Sequence, residues 1–248
     1  MVSRALDGIF RSLRIYHGDK DRNAAMDRLY SRFLSPGDLA FDIGSHVGDR
    51  VSSFRRLGAR VVAVEPQPLA LRALRLIHGR DTQVNLINAA CGARPGSLRL
   101  RVNSANPTVS TASRDFTNAA RDAPGWEGQA WDTEIEVACV TLDQLIDSWG
   151  PPRFTKIDVE GLEADVLQGL THQLPVLSFE FTTIQRDVAY QCLRRLMVLA
   201  QYRFNVALGE SQKLAFDQPI SHIDMQRYIA DLPHAANSGD IYALLCDA

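Results

Sequence analysis

The sequence predicts an α/β fold, a mostly parallel sheet of about seven strands with helices on both faces and an antiparallel last strand. Three observations carry this. From residue 39 onward, short apolar runs alternate with helical runs that end at glycine, joined by the short connections of βα units. With 248 residues and 46% hydrophobic content, the chain can bury one sizeable core more readily than two. No internal repeat, low-complexity block or Pro/Gly/Ser-rich linker divides it, so 1–248 reads as a single domain.

Residues 1–35 read as a helical extension, with Leu6, Ile9, Phe10 and Leu13 at helical spacing and a second run at Met26, Leu29, Tyr30 and Phe33. "SPGD" then breaks the pattern. "LAFDIG" (39–44) predicts a strand, 47–58 a helix, "RVVAVEP" (60–66) a strand, 68–79 a helix and "QVNLINAACG" (83–92) a third strand. The pattern then changes, because the strands at 96–103 and 133–140 flank a polar stretch long enough to be functional; 96–140 is read as an insertion and a candidate lid. Thr141 caps a helix over 141–149. "RFTKID" is a strand, "GLEADVLQGL" a helix and "PVLSFEF" (175–181) a strand. Helix "VAYQCLRRLMVLAQ", strand "RFNVAL" and a last strand, "DIYALLCD" (240–247), complete the sheet.

Composition narrows the function classes. A formal net charge of -2 and a pI near 6.3 lack the basic excess that nucleic acid or an anionic membrane favours, so neither is expected as a partner. Cys91, Cys139, Cys192 and Cys246 are dispersed with no C-x-x-C spacing, which speaks against a zinc knuckle or a disulfide scaffold and for reduced thiols. The absence of a signal-peptide core or a spanning apolar run leads to the expectation of a soluble, cytoplasmic protein.

The chemistry concentrates at strand ends. In "FDIGSHVGDR", Asp42, Gly44 and Gly48 sit where the first parallel strand meets its helix, where glycines allow a ligand close to the backbone and the helix offers unpaired N–H groups. Glu65, at the end of the second strand, can accept both hydroxyls of a ribose. The loop lacks G-x-G-x-x-G, and Asp42 would repel a pyrophosphate; it suits a cationic group such as the amino group and sulfonium of S-adenosylmethionine (SAM). "FTKIDVEGL" then places Lys156, Asp158 and Glu160 at alternating positions of a strand end.

"FDIGSHVGDRVSSFRRLGARVVAVEPQP", "VTLDQLI", "FTKIDVEGLEADVLQGL" and "LSFEF", in this order over roughly 36–181, resemble the FkbM-type SAM-dependent methyltransferases. The C-terminal third matches in layout only. The resemblance implies a Rossmann-like methyltransferase fold and cofactor contacts from Asp42, Gly44, Ser45, His46, Gly48 and Asp158. It also implies ribose contact from Glu65 and adenine-side contacts around Pro66, Gln67, Asn88 and Ala89. The activity it implies is O-methylation of a hydroxyl on a sugar or other small metabolite.

Asp158 or Glu160 is then a candidate for removing the acceptor proton, with Lys156 and Glu180 in the same constellation. Alternatively Asp158, Glu160 and Glu180 offer oxygen ligands to Mg²⁺, or Lys156 merely balances Asp158. His46 shapes the cofactor loop or acts as a base, while Ser110, Thr111 and Ser113 are hydroxyls that either meet substrate or are simple loop polarity. Trp126 and Trp131 stack on a sugar or anchor the insertion. Two other readings stand beside the enzyme: a degenerate binding domain without turnover, and an NAD-dependent dehydrogenase.

Overall fold

The computed structural model describes residues 2–246. Helices α1 (Val2–Gly18) and α2 (Lys20–Tyr30) precede β1 (Leu39–Ile43), α3 (Asp49–Arg56), β2 (Arg60–Val64), α4 (Pro68–His78) and β3 (Val84–Ile87). Next come β4 (Ala90–Cys91), β5 (Gly96–Val102), α5 (Arg114–Arg121), β6 (Thr133–Val140) and α6 (Leu142–Trp149). The remainder is β7 (Phe154–Ile157), α7 (Glu163–Gln168), β8 (Val176–Thr182), α8 (Arg186–Leu199), β9 (Tyr202–Leu208), α9 (His222–Asp231) and β10 (Ser238–Leu245).

The main sheet has seven strands in the order β3-β2-β1-β7-β8-β10-β9. Every pairing is parallel except the two made by β10, which is the expected antiparallel last strand, slotted between β8 and β9. Its expected last residue, Asp247, lies outside the described residues. The central strands β1 and β7 are buried along their whole length, as parallel strands covered on both faces must be, and their side chains alternate between two cores. Phe41 and Ile43 enter the core shared with α6, α7, α8 and α9. Ala40 and Phe154 enter the one shared with α2, α3 and α4. There Phe154 stacks on Phe33 and meets Tyr30 and Phe54 edge-on or tilted.

Three local expectations are corrected. The third strand does not run through 83–92. Asn88 donates its amide to the Glu65 and Pro66 carbonyls, the chain turns, and β4 leaves for a second, three-stranded sheet, β4-β6-β5. The helix expected over 161–170 is shorter, because the Glu163 carboxylate accepts from the Val159 and Gly161 N–H groups and holds those residues in a turn. The polar stretch 103–132 is structured, with a 3₁₀ turn at Pro107–Val109 and α5, which Ser113 caps. Phe116, Trp126 and Trp131 pack together beneath it, and the Trp131 indole donates to the Val109 carbonyl, so Trp131 anchors the insertion, while Trp126 also borders the large cavity at the sheet's carboxyl end.

Candidate active site

Beyond the carboxyl ends of β1, β7 and β8, the place where open parallel sheets take ligands, lies a cavity of about 300 Å³. Asp42, Gly44, Ser45, His46, Lys156, Asp158, Glu160 and Glu180 line it, as do Tyr16 and Arg11 of α1, Asn106 and Thr108 of the insertion, and Glu210. A smaller cavity of about 80 Å³ adjoins it at Glu65, Pro66, Gln67 and Ala89. Gly44, His46, Thr108, Asp158 and Glu160 border both. Of the residues expected at the site, Gly48 and Asn88 line neither: Gly48 starts α3 against Leu74, and the Asn88 amide is spent on backbone carbonyls.

The turn after β1 has one backbone solution. Gly44 stands at φ +84, and a Cβ there would lie 1.8 Å from the Asp158 carbonyl oxygen, so β1 and β7 approach as closely as they do only with glycine. Two residues on, His46 takes φ +47. Its strain is compensated by Glu65, whose two carboxylate oxygens accept from the His46 and Gln67 N–H groups at 2.7 Å each. Glu65 thus ties the β1 turn to the β2 end and keeps further lone pairs for a ligand's hydroxyls. Gln67 is pinned in turn by the Pro107 carbonyl and the Ser110 hydroxyl.

Two buried carboxyls flank this turn. Burial pushes both Asp42 and Glu65 up to about 7. Asp42 Oδ2 is buried without a hydrogen-bond partner, an acceptor with room for a donor from the cavity. The N-terminus of α3 has no side-chain cap. Asp49 in its first turn is neutralised by Arg22 at 2.8 Å and by Arg50 at 2.5 Å, and both arginines also reach Glu210. Burial holds His46 down at about 4, so its imidazole is neutral at pH 7.

At the end of β7 the alternating charges part company. Lys156, in register with Asp42, is 1% exposed and points into the sheet face beneath the cavity. Its ammonium donates to Asp240 at 2.7 Å and to Asp158 at 3.1 Å. Burial alone would lower Lys156, but Asp158, Asp240 and Glu180 outweigh it and keep the ammonium charged. Asp158 is likewise raised by burial yet brought below the usual range by Lys156. Glu160 and Glu180, by contrast, are pushed well up by burial and by the Asp158 charge. Asp158, Glu160 and Glu180 each bring one oxygen within 4.8 Å of the others. Glu160 reaches that position from a left-handed backbone, φ +54, which the Thr111 hydroxyl holds by donating to its carbonyl. Thr111 is therefore a support for the turn.

Sequence reasoning missed Asp240, the Asp49–Arg50–Arg22–Glu210 cluster and Tyr16. Asp240 left a trace, a lone acid opening an apolar strand, "DIYALL". The arginine cluster left none, since its members are separated by up to 188 positions.

This fold, with a carboxylate-tied glycine turn at its central crevice, is that of a Rossmann-like α/β protein with its ligand site at the carboxyl end of the sheet. The chain belongs to the FkbM methyltransferase family, whose domain model matches residues 42–206. It is similar to the hexuronic acid methyltransferase AglP of Haloferax volcanii, with 25% identity over 199 residues covering 78% of this chain and 73% of that protein. Among solved structures, a TehB-like SAM-dependent methyltransferase from Corynebacterium glutamicum superposes at TM-score 0.48 and 9% identity, covering 96% of this chain and 94% of that one. An O-methyltransferase from Bacillus cereus in complex with SAH does so at TM-score 0.46 and 11% identity, covering 96% and 90%. Family membership sets the dehydrogenase reading aside. No helix among the described residues is long and apolar enough to cross a membrane.

Proposed function

We propose that this protein uses SAM to methylate a hydroxyl of a sugar or another small hydroxylated metabolite. The observation that carries the reading is the pair of buried carboxyls, Asp42 and Glu65, on either side of the Gly44 turn in a chain of this family. Glu65 would take the ribose hydroxyls, with Pro66, Gln67 and Ala89 beside the adenine; Asp42 would take the amino group, and the uncapped α3 N-terminus the carboxylate. When bound, SAM supplies a methyl group on a sulfonium, open to direct displacement by an oxygen.

Asp158 borders both cavities and is held ionised by Lys156. Asp158 would orient the acceptor hydroxyl toward the methyl group; as the carbon–oxygen bond formed and the carbon–sulfur bond broke, with SAH as the leaving group, the proton would pass into the Asp158–Glu160–Glu180 carboxyl cluster. The Haloferax relative is named for a hexuronic acid, which makes a sugar hydroxyl the first acceptor to try. The test is calorimetric titration of SAM, followed by SAH release across a panel of sugars and uronic acids. A folded protein that binds no SAM overturns the reading.

The closeness of the three carboxylates favours one variant, in which Asp158, Glu160 and Glu180 hold Mg²⁺ and the metal acidifies the hydroxyl. SAH release that is undiminished by EDTA would remove it.

A further inference from the structure

Charge and apolar surface are unevenly spread over this protein. Helices α1 and α4 pack on one another through Ile9, Ala70 and Ala73. Together they carry five arginines, Arg4, Arg11, Arg14, Arg72 and Arg75, and one acid, Asp7, while the whole chain has a net charge of -2. Arg14, Arg72 and Arg75 are exposed and make no ion pair among the described residues. The same two helices hold Leu6, Phe10, Ile15, Leu76 and Ile77, five of the eight large hydrophobic side chains exposed among the described residues; Phe10 is 65% and Leu76 87% exposed. Leu6, Phe10 and Arg14 follow at four-residue steps beside the α4-facing row of Ile9, Leu13 and Tyr16, and on α4 Arg72 and Leu76 are likewise one turn apart.

We propose that this α1–α4 face docks on an anionic lipid bilayer. Exposed aliphatic and aromatic side chains interleaved with unpaired arginines suit a surface that offers phosphates above hydrocarbon; a duplex would meet the arginines but leave the apolar side chains in water. Charge complementarity selects the anionic lipid: the two helices are strongly positive on an otherwise acidic protein. That segregation is invisible to net charge, which is why composition alone argued against a membrane. The opposite edge of α1 supplies Gly8, Arg11, Ser12 and Ile15 to the main cavity, so docking would hold the mouth of the site at the bilayer surface.

The test is co-sedimentation of the full chain with phosphatidylcholine vesicles, with or without phosphatidylglycerol. Pelleting with the anionic vesicles alone, weakened by added salt, is expected. Arg14→Glu/Arg75→Glu and, separately, Phe10→Ser/Leu76→Ser should each lower the apparent affinity about tenfold or more. All substituted side chains are exposed, and matching thermal melts would show that both variants fold. Three results would overturn the proposal: no pelleting of the unmodified chain, equal pelleting with both vesicles, or full retention by both variants. If instead sedimentation velocity shows a dimer that Phe10→Ser/Leu76→Ser dissociates, with no vesicle binding, the face belongs to a second copy of the chain and the proposal fails.

Discussion

The Lys156 ammonium lies 2.7 Å from the Asp240 carboxylate, an ion pair that reaches from β7 to β10 across the intervening β8, whose residue in register with Lys156 is the small Ser178. A buried charge with two acidic partners is costly to remove from one side only. Lys156→Met leaves Asp240 and Asp158 without their cation and should destabilise the protein by about 3–5 kcal/mol in urea denaturation. The deficit should shrink on acidification, as the stranded carboxylates take up protons.

Asp42→Asn and Glu65→Gln keep the shape of each side chain and remove its charge. Each should weaken SAM binding about tenfold to a hundredfold, the range for a lost charge-assisted hydrogen bond, in calorimetric titration. Unchanged affinity in both would mean that the cofactor site lies elsewhere.

The Gly44 turn can be tested by a matched pair of substitutions. Gly44→Ala brings a Cβ to 1.8 Å from the Asp158 carbonyl, whereas at Gly37, φ +89, an added Cβ meets nothing within 4 Å. Gly37→Ala should cost about 1 kcal/mol of backbone strain. Gly44→Ala should cost at least about 3 kcal/mol and abolish SAM binding, because the β1 and β7 ends must separate. Similar melting temperatures for the two variants would contradict the close approach.

The pH dependence follows from the same carboxyls. Asp42 and Glu65 rise from 3.8 and 4.5 to about 7 on burial. A carboxyl with a raised native pKa holds its proton more tightly when folded. Its stabilisation is complete below the unfolded value and is lost as pH climbs to the native one. The ligand-free protein should therefore lose a few kcal/mol of stability between about pH 4 and pH 8. SAM, bringing positive charge, should bind more tightly as pH rises through about 7 and release protons below it. Calorimetry in buffers of different ionisation enthalpy would detect that release.

Much of the site was legible because its chemistry is local. Asp42, Gly44 and His46 share one turn, and Glu65 ends the next strand, so strand and helix alternation suffices to bring them together. The alternating charges of β7 were legible as an anomaly, but not their fates. Lys156 turns beneath the cavity to Asp240, which lies 84 positions away on a strand that joins the sheet last. The break at Asn88 was hidden because "QVNLINAACG" keeps its apolar character while the chain passes from one sheet to another. Periodicity reports burial, and burial does not name the partner.

The family segment, 42–206, does not build the main cavity alone. One wall comes from Gly8, Arg11, Ser12, Ile15 and Tyr16, which precede it, and another from Glu210, Asn237 and Ser238, which follow it. On the proposed reading, the two halves of the job are thus written in different stretches of chain, with the adenosine side inside the shared segment and much of the acceptor side in its flanks. On the same reading, exchanging the cavity-facing side chains of α1, with α2 left in the core, is accordingly a way to change the acceptor while leaving the adenosine side intact.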